Sequence, residues 1–276
     1  MCQDCGCSLG PPAQRAEKLA ASGDESHTET IEVITAILSE NDRVAAHNRS
    51  HFDGHNLLAV NLMSSPGAGK TALLEATVIA LGDELRIGVI EGDLATENDA
   101  DRIRACGVPA VQITTGNACH LDATMVHDAV HELNLGELDL LFIENVGNLV
   151  CPASFDLGQH RNVTLLSVPE GDDKPAKYPV MFRAADLTLI TKSDLLKFIE
   201  EFKPERARDA LLQIGFDGEV LELSNRGGAG FDAWLEWLRT EHAAQKDRKA
   251  RGQTLQPQIQ PDGAAMHGAR GQLSPR

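Results

Sequence analysis

The chain has 276 residues, of which 42% are hydrophobic and 24% charged, and its 25 basic residues against 41 acidic ones give a formal net charge of −16. This acidic balance excludes nonspecific attraction to nucleic acid or to an anionic membrane, whereas divalent cations remain compatible partners. No apolar run reaches the roughly 18 residues of a membrane span, and the N-terminal residues lack the apolar core of a signal peptide.

These features predict a cytoplasmic protein without a membrane anchor, and its six cysteines must be explained in that reducing compartment. There, thiols are more often metal ligands, catalytic groups or buried small residues than structural disulfides. Cys2, Cys5 and Cys7 lie on a leader, residues 1–28, that has no apolar period and is expected to be disordered. Something must therefore bind or oxidise them, and a CxxC redox pair or adventitious zinc binding remains open.

Helical spacing follows the leader and predicts an N-terminal helix over residues 29–55. From 56 to 242, seven short apolar runs alternate with helix-length stretches, which is typical of an α/β domain with a doubly wound, mainly parallel sheet flanked by helices. Cys106 lies on an apolar helix face and is assigned to packing. Residues 243–276 are polar and rich in glycine and proline, so we expect a disordered tail.

The first predicted strand runs into SSPGAGKT, which precedes the helical stretch 70–81. A glycine-rich turn between a strand and a helix presents backbone N–H groups to phosphate, a lysine reaches the terminal phosphates, and a threonine hydroxyl binds Mg²⁺. Ser64 stands where the consensus has glycine. The sequence predicts a P-loop NTPase whose phosphate-binding residues are Ser65, Pro66, Gly67, Ala68, Gly69, Lys70 and Thr71.

The sixth predicted strand ends in TKSD, which is similar to the guanine-selecting motif of GTPases. A carboxylate at Asp194 accepts hydrogen bonds from the N1–H and amino group of guanine, whereas adenine has no donor at N1, so GTP and GDP are the expected nucleotides. Ser193 or Asp194 could instead serve as a helix N-cap. The predicted base-binding residues are Thr191, Lys192, Asp194 and, from the loop after the last strand, Ser224.

Acidic side chains close the second and fourth predicted strands. Asp93 and Glu144 are the predicted catalytic carboxylates together with Lys70, and Asp93 joins Thr71 as a predicted Mg²⁺ ligand. Gly147 occupies the position of the DxxG switch glycine. Asp99 and Asp101 suit either this site or a solvated helix face.

A second group of metal-ligating residues lies beside these switches. Cys119 and His120 follow the third predicted strand, and Cys151 lies four residues after Gly147. Each residue alone would be explained as a buried thiol or a surface histidine. Together they offer two thiolates and an imidazole, which are ligands for Zn²⁺ or Ni²⁺.

As a set, these motifs resemble the hydrogenase nickel-incorporation GTPases of the HypB type over roughly residues 1–240. The resemblance rests on the MCxxCGC start, SSPGAGKT, IEGD, TGNACHLDA, FIENVGNLVCPASFDLG, VPEGDDKPAKYPVMFRAADL and TKSD. It implies a nickel site at Cys2, Cys5 and Cys7, and a zinc or nickel site at Cys119, His120 and Cys151. Three thiolates with a nitrogen donor in one plane suit Ni²⁺ at the leader.

The resemblance also implies a slow, Mg²⁺-dependent GTPase that forms a nucleotide- or metal-linked homodimer. Its expected partners are a small zinc-containing nickel chaperone of the HypA type and the precursor of the [NiFe] hydrogenase large subunit. Two alternatives remain open: a metallocentre GTPase serving urease or a cobalamin enzyme, and a non-enzymatic nickel buffer whose conformation is locked by nucleotide. The leader contains only His27, so histidine-based nickel storage is not expected.

Overall fold

The computed structural model describes residues 27–93, 98–116, 118–225 and 230–257, and for 27–37 it describes the backbone alone. The chain divides into two units, Met1–Ser39 and Glu40–Arg276. The first unit contributes the beginning of a helix, and the side-chain contacts described below lie in the second. Within the described ranges, no helix is long and apolar enough to cross a membrane.

Seven strands form one sheet in the order β3-β2-β4-β1-β5-β6-β7, and every pairing between them is parallel. This confirms the predicted α/β fold with a doubly wound sheet. The strands are β1 Leu58–Ser64, β2 Ile87–Asp93, β3 Ala110–Thr114, β4 Leu140–Glu144, β5 Arg161–Ser167, β6 Leu187–Thr191 and β7 Glu219–Glu222. Each coincides with one of the seven predicted apolar runs.

Eight α-helices connect and flank the strands within the described ranges. They are α1 His27–Gly54, α2 Lys70–Leu81, α3 Asn98–Ala105, α4 Ala123–Val130, α5 Lys174–Lys177, α6 Pro179–Arg183, α7 Pro204–Gln213 and α8 Phe231–Ala250. Short 3₁₀ turns cover Leu135–Glu137, Cys151–Ser154, Val168–Glu170 and Ser193–Leu195.

Strand β4 shows how the sheet buries both of its faces. Phe142 packs into the core beneath α2 and α8, whereas its neighbours Leu141 and Ile143 pack into the core beneath α1 and α4. Alternation of side chains along a strand places successive residues on opposite faces, so a strand with a helical layer on each side must be apolar throughout. All five residues of β4 are buried.

The C-terminal helix extends beyond the predicted domain end at residue 242. Helix α8 continues to Ala250, so residues 243–250 belong to a helix and not to a tail. The reason is tertiary: the side chain of Gln245 is fully buried and donates a hydrogen bond to Asp53 Oδ1 at 2.9 Å. A polar stretch that gains such partners from α1 stays helical. The rest of the predicted tail beyond residue 257 lies outside the described residues.

Strand β1 lies at the centre of the sheet, between β4 and β5. The chain leaves β1 toward β2 on one side and later returns to β5 on the other. Loops therefore diverge at the carboxyl end of β1 and leave a crevice there, which is where open α/β sheets bind their ligands.

Candidate nucleotide and metal site

The loop between β1 and α2 has the geometry of a phosphate-binding turn. Gly67 and Gly69 have φ angles of 77° and 99°, in the left-handed region that favours glycine. Lys70 is only 8% exposed, and its ammonium group donates a hydrogen bond to Ser64 Oγ at 3.1 Å. Ser64, the departure from the consensus, thus contributes an acceptor that holds the lysine at the loop. Ser65 donates a hydrogen bond to Glu170, a residue that the sequence did not single out.

The end of β6 lies directly against this loop. Thr191 Oγ1 donates a hydrogen bond to the Ala68 carbonyl at 2.8 Å, and Lys192 Nζ donates one to the Gly67 carbonyl at 2.7 Å. Ser224 Oγ donates a hydrogen bond to Asp194 Oδ1 at 2.7 Å. The predicted base-binding residues are therefore assembled beside the predicted phosphate-binding residues. The helix that begins here is a three-residue 3₁₀ turn with Lys192 at its N-cap position, so neither Ser193 nor Asp194 caps it.

The predicted switch residues also meet the loop. Thr71 Oγ1 donates a hydrogen bond to Glu144 Oε1 at 2.9 Å. A Cβ atom placed on Gly147 would lie 2.9 Å from both N and Cα of Pro66, so only glycine allows this close approach. Asp93 ends β2, the strand adjacent to β4. Asp99 and Asp101, by contrast, form ion pairs with Arg102 and Arg104 on the surface of α3, which favours the solvated-face interpretation.

Glu91 is a further acidic residue that the sequence reasoning missed. It pairs with Glu144 across β2 and β4, and both carboxyl groups are buried. Neither Glu91 Oε2 nor Glu144 Oε2 has a hydrogen-bond partner among the described residues. Burial raises the pKa of Glu144 to about 7, and burial together with the nearby Glu144 raises the pKa of Glu91 to about 8. The sequence signal for Glu91 was an acidic residue inside the otherwise apolar strand β2.

We expect Glu91→Gln to stabilise the nucleotide-free protein at pH 9 by about 1 to 3 kcal/mol, because it removes a buried charge beside Glu144. A carboxyl whose pKa is raised contributes fully to stability below its ordinary pKa of 4.5 and loses that contribution as the pH rises through about 8. The gain should therefore shrink toward zero near pH 5. Urea unfolding at both pH values measures it.

The exposed Glu132 provides the control for this prediction. Glu132→Gln should leave the free energy of unfolding almost unchanged at either pH, since a surface substitution removes no buried charge. A Glu91→Gln effect of the same size at pH 5 and pH 9 would contradict the electrostatic explanation.

Cys119, His120 and Cys151 meet at a second place on the same edge of the sheet. Their ligand atoms all lie within 4.8 Å of one another, and the two Sγ atoms are 3.2 Å apart. The His120 ring stacks on Phe155 with 4.0 Å between ring centroids, which fixes its orientation. Burial lowers the pKa of His120, so the imidazole is neutral at pH 7 and retains a lone pair for a metal.

Burial and the neighbouring Cys119 thiol raise the pKa of Cys151 in this arrangement. Two thiols in contact resist losing both protons unless a cation compensates the charge, and a bound metal ion supplies that compensation. Two sulfur donors and one nitrogen donor suit a borderline divalent ion such as Zn²⁺ or Ni²⁺, and the group fits such an ion by chemistry and spacing.

Two asparagines join this thiol group to the switch loop. Asn145, which follows Glu144, accepts a hydrogen bond from the Leu121 backbone N–H at 3.2 Å. Asn148 Nδ2 donates a hydrogen bond to the Cys119 carbonyl at 3.1 Å. The loop that carries Gly147 and Cys151 is thus bonded at two points to the loop that carries Cys119. Sequence reasoning did not assign a role to either asparagine, because only the fold brings residues 119–121 beside residues 145–148.

Comparison with known proteins agrees with this geometry. Residues 58–213 match the family described as CobW/HypB/UreG, nucleotide-binding domain. The chain belongs to the CobW/HypB/UreG family. Its matched segment starts with β1 and runs to the end of α7, so this CobW/HypB/UreG domain contains the phosphate loop, both switch strands and the thiol group.

Relatives within the CobW/HypB/UreG family include the hydrogenase maturation factor HypB of Escherichia coli K12, which is 49% identical over 219 residues, 79% of this chain and 75% of that protein. The HypB of Azotobacter vinelandii is 51% identical, covering 78% of this chain and 71% of that protein. These identities confirm the HypB-type resemblance.

Solved structures of HypB share the fold of this CobW/HypB/UreG member. The structure of HypB from Helicobacter pylori in complex with nickel has a TM-score of 0.71 and 40% identity, and the match covers 74% of this chain and 96% of that one. HypB from Archaeoglobus fulgidus gives a TM-score of 0.70 and 39% identity over 74% of this chain and all of that one. Cys2, Cys5 and Cys7 lie outside the described residues.

Proposed function

We propose that this chain is a GTP-hydrolysing nickel metallochaperone that binds Ni²⁺ and helps to insert it into the large subunit of [NiFe] hydrogenase. A role in hydrogenase maturation is supported by relatives that are named hydrogenase maturation factors and are about 50% identical to this chain. Nickel as the transferred metal is supported by the structure of the Helicobacter pylori relative in complex with nickel. We propose the cytoplasm as its compartment, because thiol ligands require reducing conditions.

In this proposal the backbone of residues 65–71 binds the phosphates of GTP, and Lys70 neutralises the charge that develops on the terminal phosphate. Asp194 recognises guanine, with Ser224 holding its carboxylate and Thr191 and Lys192 fixing the strand end against the loop. Glu144 orients the attacking water. A carboxyl with a pKa of about 7 suits a group that accepts a proton near neutral pH.

The acidic strand ends fit a magnesium ion. Thr71 and Glu144 are in contact at the loop, Asp93 ends the adjacent strand, and the buried Oε2 atoms of Glu91 and Glu144 lack partners among the described residues. Oxygen donors of this kind are the ligands that Mg²⁺ prefers. We propose Thr71 and Asp93 as its ligands, and Mg²⁺ supplies charge neutralisation at the phosphates when bound.

The observation that carries the proposal is the short loop between Glu144 and Cys151. Gly147 at its centre touches Pro66 of the phosphate loop, while Cys151 at its end contributes one thiol of the metal group. A loop of this kind that moves toward or away from the terminal phosphate must also move Cys151 relative to Cys119 and His120. Hydrolysis of GTP would thereby change how tightly the cargo is held.

We therefore expect the affinity of the Cys119, His120 and Cys151 group for Ni²⁺ to differ by about 5- to 150-fold between the GDP state and a non-hydrolysable GTP analogue. By linkage, Ni²⁺ must change the affinity for nucleotide by the same factor. Titration of the full chain carrying Cys2, Cys5 and Cys7 as serine measures both affinities, and the part of nickel binding that is lost on the further change Cys151→Ser belongs to this group.

Cys106 provides a matched control, because its thiol is partly buried against the core, away from the metal group. Cys106→Ser should preserve the nucleotide dependence, whereas Cys151→Ser should remove it together with nickel binding at this group. Identical nickel affinities in the two nucleotide states would leave the group as a passive structural site and would exclude the transfer mechanism. GTP hydrolysis that leaves the nickel affinity of this group unchanged would likewise exclude the transfer mechanism.

The leader and the partners complete the proposal. We propose that Cys2, Cys5 and Cys7 form a second nickel site, that the chain dimerises in response to nucleotide or metal, and that a small zinc-containing nickel chaperone and the hydrogenase large subunit are its partners. Residues 1–28, 29–55 and 56–242 remain the proposed leader, N-terminal helix and GTPase domain, with the domain extended to the end of α8.

Urease is the second candidate recipient. Two Helicobacter relatives, 45% and 42% identical, are named hydrogenase/urease maturation factors. Nickel transfer to the apo forms of both enzymes in parallel distinguishes the recipients: activation of hydrogenase alone supports the main proposal, and activation of urease extends it.

A further inference from the structure

Four histidines gather on the face of the sheet that α1 and α4 cover, away from the thiol group. His47 and His51 are one helical turn apart on α1, and His127 and His131 are one turn apart at the end of α4. Residues at i and i+4 share a helix face, so each helix presents a pair of imidazoles. The two pairs meet: ring centroids of His47 and His127 are 5.2 Å apart, and those of His51 and His131 are 6.4 Å apart.

The closest contact in this group joins two imidazole nitrogens. Nε2 of His127 and Nε2 of His131 are 3.1 Å apart and form a hydrogen bond. Two nitrogens at this separation, each about 2.05 Å from one ion, would subtend roughly 100° at it, which lies between square-planar and tetrahedral angles. The separation of the two nitrogens is therefore compatible with two ligands of a single metal ion, which would take the place of the proton between them.

The tautomer of His127 is set by Asn48 on α1. The Asn48 Nδ2 group donates hydrogen bonds to the carbonyls of Ala123 at 2.8 Å and Leu157 at 3.1 Å, which orients the buried amide. Its Oδ1 lies 3.1 Å from His127 Nδ1 and can only accept, so Nδ1 carries the proton and Nε2 carries the lone pair. Histidine ligands of metals are commonly held in this way by an acceptor behind the ring.

The four histidines differ in their exposure to solvent. His127 is 5% exposed, His47 and His51 are half-buried, and His131 is exposed at the end of α4. A metal ion can therefore enter from the side of His131 and reach His127 at the inner end. Helix α4, with 8 residues and a length of about 12 Å, separates this group from Cys119 and His120, which precede its N-terminus.

We propose that His47, His51, His127 and His131 form a binding site for a borderline divalent transition-metal ion, distinct from the thiol group. Neutral imidazole suits Ni²⁺, Cu²⁺ and Zn²⁺, whereas the hard ions Mg²⁺ and Ca²⁺ prefer oxygen ligands. The site depends on neither the nucleotide nor the thiols, and it therefore goes beyond the proposed function.

The test uses Ni²⁺ as the probe and the full chain with Cys2, Cys5, Cys7, Cys119 and Cys151 changed to serine, so that no thiolate site contributes. Equilibrium dialysis should find one Ni²⁺ per chain in this background. Adding His127→Gln and His131→Gln should weaken that binding at least about tenfold. The matched control adds His242→Gln, which removes a histidine of α8 outside the group and should leave the affinity unchanged.

Two further measurements keep the test decisive if the buried His127 proves necessary for folding. A pair of more exposed changes, His51→Gln and His131→Gln, should weaken Ni²⁺ binding similarly while far-ultraviolet circular dichroism stays unchanged. Long-range ¹H–¹⁵N spectra of the background protein should show Zn²⁺ shifting the Nε2 resonance of His127. A background that binds no Ni²⁺, a His242→Gln control that loses as much affinity as the test pair, or imidazole resonances that do not shift with Zn²⁺ would each overturn the proposal.

Discussion

Changing Lys70 to alanine is expected to lower GTP hydrolysis by at least about 10²- to 10³-fold, the usual effect of removing one preorganised group that stabilises developing charge. The reason lies in the position of the ammonium group, which is nearly buried beside Ser64 at the turn between β1 and α2. A buried cation at this turn has no equivalent replacement from water. Release of inorganic phosphate under single-turnover conditions measures the loss.

Nickel binding by Cys2, Cys5 and Cys7 should be unaffected by Lys70→Ala, because Lys70 contributes to the phosphate site and not to the leader thiols. Equilibrium dialysis on the same sample tests this. Lys203→Ala, at an exposed lysine, is the control and should retain full hydrolysis. An equal loss of leader nickel in the Lys70 variant would contradict the separation of the two modules.

Changing Asp194 to asparagine is expected to have the second large effect, a loss of up to about 10⁴-fold in discrimination for GTP. The carboxylate accepts from two donors of guanine, whereas an amide offers one acceptor and one donor. The donor of the amide would face the amino group of guanine and leave both without acceptors. Xanthine carries a carbonyl at that position, so the variant should bind XTP better than GTP.

Competition among GTP, ATP and XTP in one binding assay measures the preference of the Asp194 variant. Ser224→Ala is the companion variant: it removes the hydroxyl that donates to Asp194 Oδ1 at 2.7 Å but keeps the carboxylate. We expect it to weaken GTP binding without admitting XTP. An Asp194→Asn protein that still prefers GTP over XTP would remove TKSD from the base site.

Much of the fold is encoded locally. Each of the seven strands coincides with a short apolar run. For the central strands the reason is that a strand buried on both faces by helical layers must be apolar along its length. Helix α2 spans the predicted residues 70–81, because the glycine-rich turn and the apolar stretch after it are both local signals. The phosphate loop could be predicted for the same reason, since its geometry depends on a few consecutive residues.

The end of the domain could not be predicted in this way. Residues 243–250 are polar and carry no periodic apolar signal, and they are helical because Gln245 finds a partner on α1, about 190 residues earlier in the chain. A polar side chain that is satisfied by a distant partner looks, in the sequence, like any solvent-exposed residue.

The sequence by itself determined the fold class, the phosphate loop and the residue types of the thiol group, because these depend on periodicity and on ligand chemistry. Only the tertiary structure decided which of these residues meet. Strand register pairs Glu91 with Glu144, and helix packing brings His47 and His51 to His127 and His131. The physical reason is that pKa values and metal sites depend on distances between side chains, and those distances are fixed by packing between elements far apart in the chain.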